Sequence, residues 1–344
     1  MQDSAVIDVL PDKHPQLRDY LFALIADPHI RVYAVMDGAF FKNIAAKLRD
    51  AGLARRALYR YDGDYSVVMG GPWLIDPYRQ NNSSPEMGNE SGEQSVLELA
   101  SRFEAILQLA ADTSGLVFWC GDASLTENTL YDHLRRLNQI EVPKNYSENH
   151  ESGSTGGYEL VTFRHADANV MAQVLPALDA SQQSRLLGSC NQIFCKPEPG
   201  WSKRAMRMVR PDNLAEPTSG PLRWTPQTMQ NIHAYRMTIS RQKVGAYLRE
   251  VDPGNTEHFS DEQLFNVVLN YEKSGNALGL ESERAHMKWA YLMSITNAGA
   301  AEGAVAKGYF QSSSKHPDDA IDDILDELDN MAGAHWNEFW PGSQ

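Results

Sequence analysis

Along the first two hundred residues, short apolar runs alternate with stretches in which apolar positions recur every three or four residues. That is the pattern of strands separated by amphipathic helices. Arg31-Val-Tyr-Ala-Val-Met36 is an unbroken run of strand length. Phe41, Ile44, Ala45 and Leu48 follow at helical spacing and stop at Gly52, a residue suited to a left-handed C-cap. Ala57–Tyr61 and Tyr65–Met69 flank the turn Asp62-Gly-Asp64, which predicts a β-hairpin. A helix is predicted over about 93–111, with Val96, Leu99, Phe103, Ile106 and Leu107 on one face. Leu116–Cys120 predicts a strand, and Ser124 with Glu127 three residues on predicts the capping box of a helix carrying Leu130, Leu134 and Leu137. A strand over Tyr158–Phe163, a helix opened by Asp167 and a strand over Asn191–Cys195 complete the pattern. Strands separated by helices predict an α/β lobe over residues 1–210, with a mixed, largely parallel sheet and flanking helices.

Residues 211–221 are rich in Pro, Gly and Ser and read as a linker, after which the period becomes purely helical. Thr225-Pro226 places a cap before a proline at the first helical position, Ser260 with Gln263 forms a capping box, and Ser282 opens a further helix. The expectation for 222–300 is a three-helix lobe of antiparallel helices, followed over 301–344 by an acidic, aromatic-ended tail.

Of 344 residues, 42% are hydrophobic, enough for substantial cores, and no apolar run reaches the roughly 18 residues of a membrane span. Three cysteines, Cys120, Cys190 and Cys195, do not suit a disulfide framework and read as buried thiols. With an N-terminus lacking basic and apolar secretory regions, this leads to the expectation of a cytoplasmic protein. The net charge of −14 repels phosphate backbones, so neither nucleic acid nor a membrane is an expected partner. Acidic residues concentrate beyond Lys315.

The search for catalytic signatures finds no G-x-S-x-G, phosphate-loop, G-x-G-x-x-G, H-E-x-x-H or paired C-x-x-C motif. No catalytic residue, cofactor or metal ligand is therefore assigned. Gly153-Ser-Thr-Gly-Gly157 precedes a strand, the reverse of the strand–loop–helix order of an anion site. Asp37-Gly38 sits after the first buried strand, where an aspartate could act as base or ligand. The simpler reading is a turn in which Gly38 supplies a positive φ and Asp37 caps the helix of Phe41, where Asn would serve nearly as well. Gly70-Gly71-Pro72 reads as a backbone device. His133, His165 and His233 have no partner at ligand spacing. Two segments read as protein-binding surfaces. One is the basic strip Trp201, Lys203, Arg204, Arg207 and Arg210, which is either a docking strip or a solvated strand edge. The other is the aromatic face Trp336, Phe339 and Trp340, which either packs back on the chain or anchors in a partner groove.

Several segments together resemble the effector-adaptor family of type VI secretion, defined by a domain long catalogued as of unknown function. These are Tyr33-Ala-Val-Met-Asp-Gly-Ala39, with Asp37 and Gly38; Leu58-Tyr59 and Gly71-Pro72-Trp-Leu74; Gly115–Cys120 with His133-Leu-Arg135; and Phe163-Arg164-His-Ala-Asp167 with Val174, Leu175 and Leu178. The match spans about residues 30–195. It departs from the family at His165-Ala166, where aromatics are common, and at Ala168, where proline is. The resemblance implies a non-enzymatic adaptor or chaperone that binds a cognate effector and delivers it to the valine–glycine-repeat spike protein. Two other classes stand beside it: an α/β enzyme using Asp37, Asp122 or His165 at the strand ends, and an immunity-type toxin inhibitor.

Overall fold

The apolar run around Tyr33 lies at the centre of a sheet in the computed structural model, which describes residues 6–60, 64–80, 96–144, 157–214, 216–217, 220–296, 298–302, 308, 310 and 315–331. The chain forms two compact units, Met1–His233 and Ala234–Gln344. The first contains β1 (Val6–Val9), α1 (Leu17–Ile25), β2 (Ile30–Asp37), α2 (Ile44–Asp50), β3 (Leu53–Ala57), α3 (Tyr65–Gly70), β4 (Pro72–Gln80), α4 (Val96–Leu109) and β5 (Leu116–Asp122). It continues with α5 (Glu127–Leu137), β6 (Gln139–Pro143), β7 (Tyr158–Thr162), α6 (Ala168–Val174), α7 (Ala180–Leu187), β8 (Gln192–Cys195), β9 (Met206–Val209) and the first part of α8 (Pro226–Val251).

Seven strands form one sheet in the order β1-β9-β8-β5-β2-β4-β3, while β6 and β7 pair separately. Every pairing between these strands is antiparallel, which overturns the expectation of a largely parallel sheet. The cause lies in burial. Tyr33 and Val35 of β2 point into a core with Leu130, Leu134, Phe163 and Met171, under α5 and α6. Val32, Ala34 and Met36 point into a second core with Leu21, Ile44, Leu48, Phe103 and Ile106, under α1, α2 and α4. A strand covered on both faces has a continuous apolar run, which is also what parallel strands have. Helix–strand alternation does not reveal where the next strand inserts. From β2 the chain passes through α2 to β3 at the sheet edge and returns through β4 into the gap between them. Each fully buried side chain, such as Phe103 or Ile106, stabilises this packing by about 2 kcal/mol.

The predicted hairpin is also corrected. Residues Tyr65–Gly70 form helix α3, because the Asp64 carboxylate accepts from Ser66 N (2.8 Å) and caps it. The N-cap of α5 is Thr126, accepting from Thr129 N (3.2 Å), while Ser124 donates to Asp122. At Gly52 the φ of 70° matches the left-handed C-cap read from the sequence. Leu214, Leu222, Trp224 and Ile232 are buried in the core of the first unit, so this core draws on side chains on both sides of 215–221.

In the second unit, Trp289 is fully buried among Leu280, Leu292, Met293, Ile321 and Ile324, and its indole N–H donates to Ser274 Oγ (2.9 Å). Ser260 and Gln263 form the capping box of the helix Asp261–Ala277. The acidic helix Pro317–Met331 buries Ala320, Ile321 and Ile324, and Asp318 accepts from Glu281 N and Ser282 N (2.8 and 2.9 Å). Trp336, Phe339 and Trp340 lie outside the described residues. No helix among the described residues is long and apolar enough to cross a membrane.

Candidate functional site

The residues of the Asp-Gly and Gly-Pro motifs meet at one end of the sheet. Asp37 pairs with Pro72 across β2 and β4, Asp37 N donates to Gly115 O (3.1 Å), and Gly38 N donates to Gly71 O (2.9 Å). The chain then enters a 3-10 turn, Gly38–Phe40, in which Asp37 Oδ1 accepts from Ala39 N (3.0 Å). Asp37 is a cap, as expected, but of this turn: the following helix α2 is capped by Asn43, and Gly38 does not adopt the positive φ expected of it. The structure adds a second role for the same side chain. Asp37 is buried, and its Oδ2 accepts from Arg164 Nε (2.9 Å) and lies 2.8 Å from Nη2.

Arg164 also lies 3.3 Å from Asp167 Oδ2 through Nη1. Asp167 Oδ1 caps α6 by accepting from Asn169 N and Val170 N (2.9 and 3.3 Å). Burial raises the Asp167 carboxyl above its ordinary value, against the opposing pull of Arg164 and of those two amides. The Arg164 guanidinium stands 5.3 Å from the Phe40 ring centre, and its side chain keeps 43% of its surface exposed. Behind it, Tyr59 occupies the place a Cβ on Gly71 would take, and burial, then Asp37, raise the Tyr59 phenol. One half-exposed guanidinium is thus fixed by two carboxylates and an aromatic ring. Both carboxylates are already paired, so the arrangement suits recognition of an acceptor group better than proton transfer.

Asn at position 37 keeps the cap but loses the charge facing Arg164. We therefore expect Asp37→Asn to cost about 1–2 kcal/mol, reduced from the value of a fully buried pair because Arg164 is partly solvated. Urea denaturation of Asp37→Asn, Arg164→Met and the double variant measures the coupling. A coupling energy near zero removes this role for the pair.

His165 is fully buried, and His133 is half-buried. His133 Nε2 donates to Leu186 O (2.8 Å), and His165 Nε2 to Asn138 Oδ1 (3.0 Å). The Trp119 ring lies 6.2 Å, centre to centre, from each imidazole. Burial is the main cause that lowers His133 to about 4 and His165 to about 3, so both are neutral at neutral pH. Arg135 stands over the Tyr131 ring at 5.5 Å. Cys120, Cys190 and Cys195 are buried free thiols, and burial pushes Cys120 and Cys195 up to about 12. Among the described residues, no group of three or more His, Cys, Asp and Glu side chains could hold a metal ion.

The arginines of the basic strip turn largely inward. Arg204 donates to Leu10 O (2.8 Å) and pairs with Asp12 (3.0 Å). Arg207 grips both Asp8 oxygens (2.7 and 3.0 Å), joining β9 to β1. Arg210 donates to Cys190 O (3.1 Å) and to Gly188 O. Trp201 is half-buried, and Lys203 is exposed. Phe40 belongs to the strand-end cluster but escaped the sequence reading, whereas Tyr59 and Gly115 entered it only through the family resemblance. A bulky contact made across the sheet has no spacing signal in the chain.

Asp37 and Asp122 stand at opposite ends of the sheet. The β2–β5 register pairs Ile30 with Asp122 and Met36 with Leu116, a separation of about 20 Å along the strands.

No curated protein and no solved structure matches the chain. Residues 32–185, from β2 into α7, match the model of a family described as a domain of unknown function (DUF4123), known as a type VI secretion effector-associated domain.

Proposed function

We propose that the protein is a non-enzymatic adaptor that binds a cognate effector and delivers it to the spike of a type VI secretion machine. The observation that carries this reading is the family match over residues 32–185, which begins in β2 and includes the Asp37–Arg164–Asp167 cluster. Among the described residues, the side of β7 away from β6 has no strand partner, which supports this reading. Phe163 N donates to Asn138 O and Lys144 N to Gly157 O, and this phase turns the backbone groups of Tyr158, Leu160 and Thr162 away from β6. Leu160 is 58% exposed on that strand, where an edge in water ordinarily carries charge. The opposite placement of Asp37 and Asp122 disfavours an enzyme that would use both.

The experiment is co-purification of the full chain with the products of neighbouring genes, together with secretion assays in a strain lacking it. The expected result is a stable complex with one effector and with the spike protein, and loss of that effector alone from the secreted fraction. Unchanged effector secretion in the deletion strain sinks the adaptor reading. Rescue of cells from the effector's toxicity by this chain, without any effect on secretion, would identify an inhibitor instead.

A further inference from the structure

Helices α5 and α7 are tied together by the bond from His133 to Leu186, and beside that bond a surface cleft of about 900 Å³ opens. Its lining includes His133, Arg136, Arg185 and Gly188, with Asp132 among the wall residues. Gly188 has a φ of 57°, and a Cβ there would come within 2.5 Å of the His133 ring, so the wall is built on a glycine. Arg185 Nε donates to Gly220 O (2.7 Å), and Arg210 donates to the carbonyls of Cys190 and Gly188 beneath the cleft.

Among the described residues, Arg136, Arg185 and Arg210 form no ion pair, although Asp132 lies one helical turn from Arg136. Burial and then Arg136 lower the Arg185 guanidinium, and all three arginines act on His133 after burial, which places them round one space. Three guanidiniums with no carboxylate partner form a local positive site on a chain of net charge −14.

We propose that this cleft binds a short acidic segment of a partner protein, with its carboxylates on Arg136 and Arg185. Guanidinium forks match carboxylates in a bidentate way. The volume lies near the upper end of the roughly 300–1,000 Å³ of ligand sites, room for several residues rather than one small ion. That the occupant is a protein rests on the proposed function, whereas the chemistry of the cleft is testable without any partner.

The test uses the full chain and a fluorescently labelled hexaglutamate peptide, with hexaglutamine and inorganic phosphate as comparisons. Hexaglutamate is expected to bind at low salt and weaken as salt rises, and hexaglutamine is expected not to bind. Arg136→Gln, at an exposed position without an ion pair, should weaken hexaglutamate about fivefold or more, the value of one charge-assisted contact. Lys203→Gln removes an equal charge elsewhere and should leave the affinity within about twofold. Arg185→Gln should act like Arg136→Gln, with its folding checked by circular dichroism because Arg185 also holds Gly220.

Absence of hexaglutamate binding, or equal weakening by Lys203→Gln, overturns the proposal. So does binding of phosphate without binding of the peptide, which would mark a small-anion site. Peptide binding that persists when co-purification and secretion assays fail would sink the adaptor reading and leave the cleft standing.

Discussion

Replacing Gly38 by alanine will destabilise the first unit by about 3 kcal/mol or more, the upper range for inserting atoms into a packed interior. A Cβ at this position would stand 2.0 Å from Met69 O and 2.7 Å from Gly71 O. Both are backbone atoms, so no rotamer change can relieve the contact. The bond from Gly38 N to Gly71 O would have to lengthen, and that bond holds the end of β2 against the segment between α3 and β4. Displacing Gly38 moves its neighbour Asp37 and with it the Arg164 pair, so the damage reaches the strand-end cluster. For a unit of this size the expected loss is about 6–12 °C in Tm. Gly70→Ala is the matched control, because a Cβ there meets nothing within 4 Å. If Gly38→Ala melts within 2 °C of that control, the close approach at Gly38 does not matter to stability.

How far this arrangement was legible follows from the range over which each signal acts. The strands around Tyr33, Phe118 and Phe194 and the helices capped by Asp167, Ser260 and Ser282 are local features, and their periodicity and caps place them. Strand direction is a relation between segments, and the double burial of β2 concealed it. Asp64 decided against a strand at Val67-Val68, where β-branched residues favoured one. Asp37-Gly38 and Phe163-Arg-His-Ala-Asp167 each stood out as short motifs. Their meeting spans 127 residues, and nothing in either motif specifies the other. The basic strip was visible as charge, but the carboxylate of Asp8 that Arg207 grips lies 199 residues away. A run of cations that looks free in sequence can thus be consumed by folding, while Arg136 and Arg185, too far apart to form a run, line one cleft.

Lowering the pH from 7.5 to 5 will cost the first unit about 4 kcal/mol through His133 and His165 alone. Their folded values are held down to about 4 and about 3 by burial, whereas an unfolded histidine titrates near 6.5. At pH 7.5 both states are neutral and the two residues make no difference. Between about 6.5 and 5 the unfolded chain takes up protons that the folded one refuses, so stability falls with pH. At pH 5 each residue sits about 1.5 units below its unfolded value and well above its folded one, which corresponds to about 2 kcal/mol apiece. The loss continues below pH 5 until each folded value is passed. Asp76 and Asp167, whose carboxyls burial raises, act in the opposite sense. Both carboxyls are common to the wild type and a histidine variant, so the difference between the two isolates the imidazole. His165→Phe keeps a ring against Trp119 and Phe163 while removing the titrating group and its bond to Asn138. It should be less stable at pH 7.5 yet lose only about half as much on acidification, with urea unfolding at each pH as the measurement. An unchanged slope in His165→Phe, or a wild-type protein equally stable at pH 7.5 and 5, would show that these histidines accept protons in the folded state.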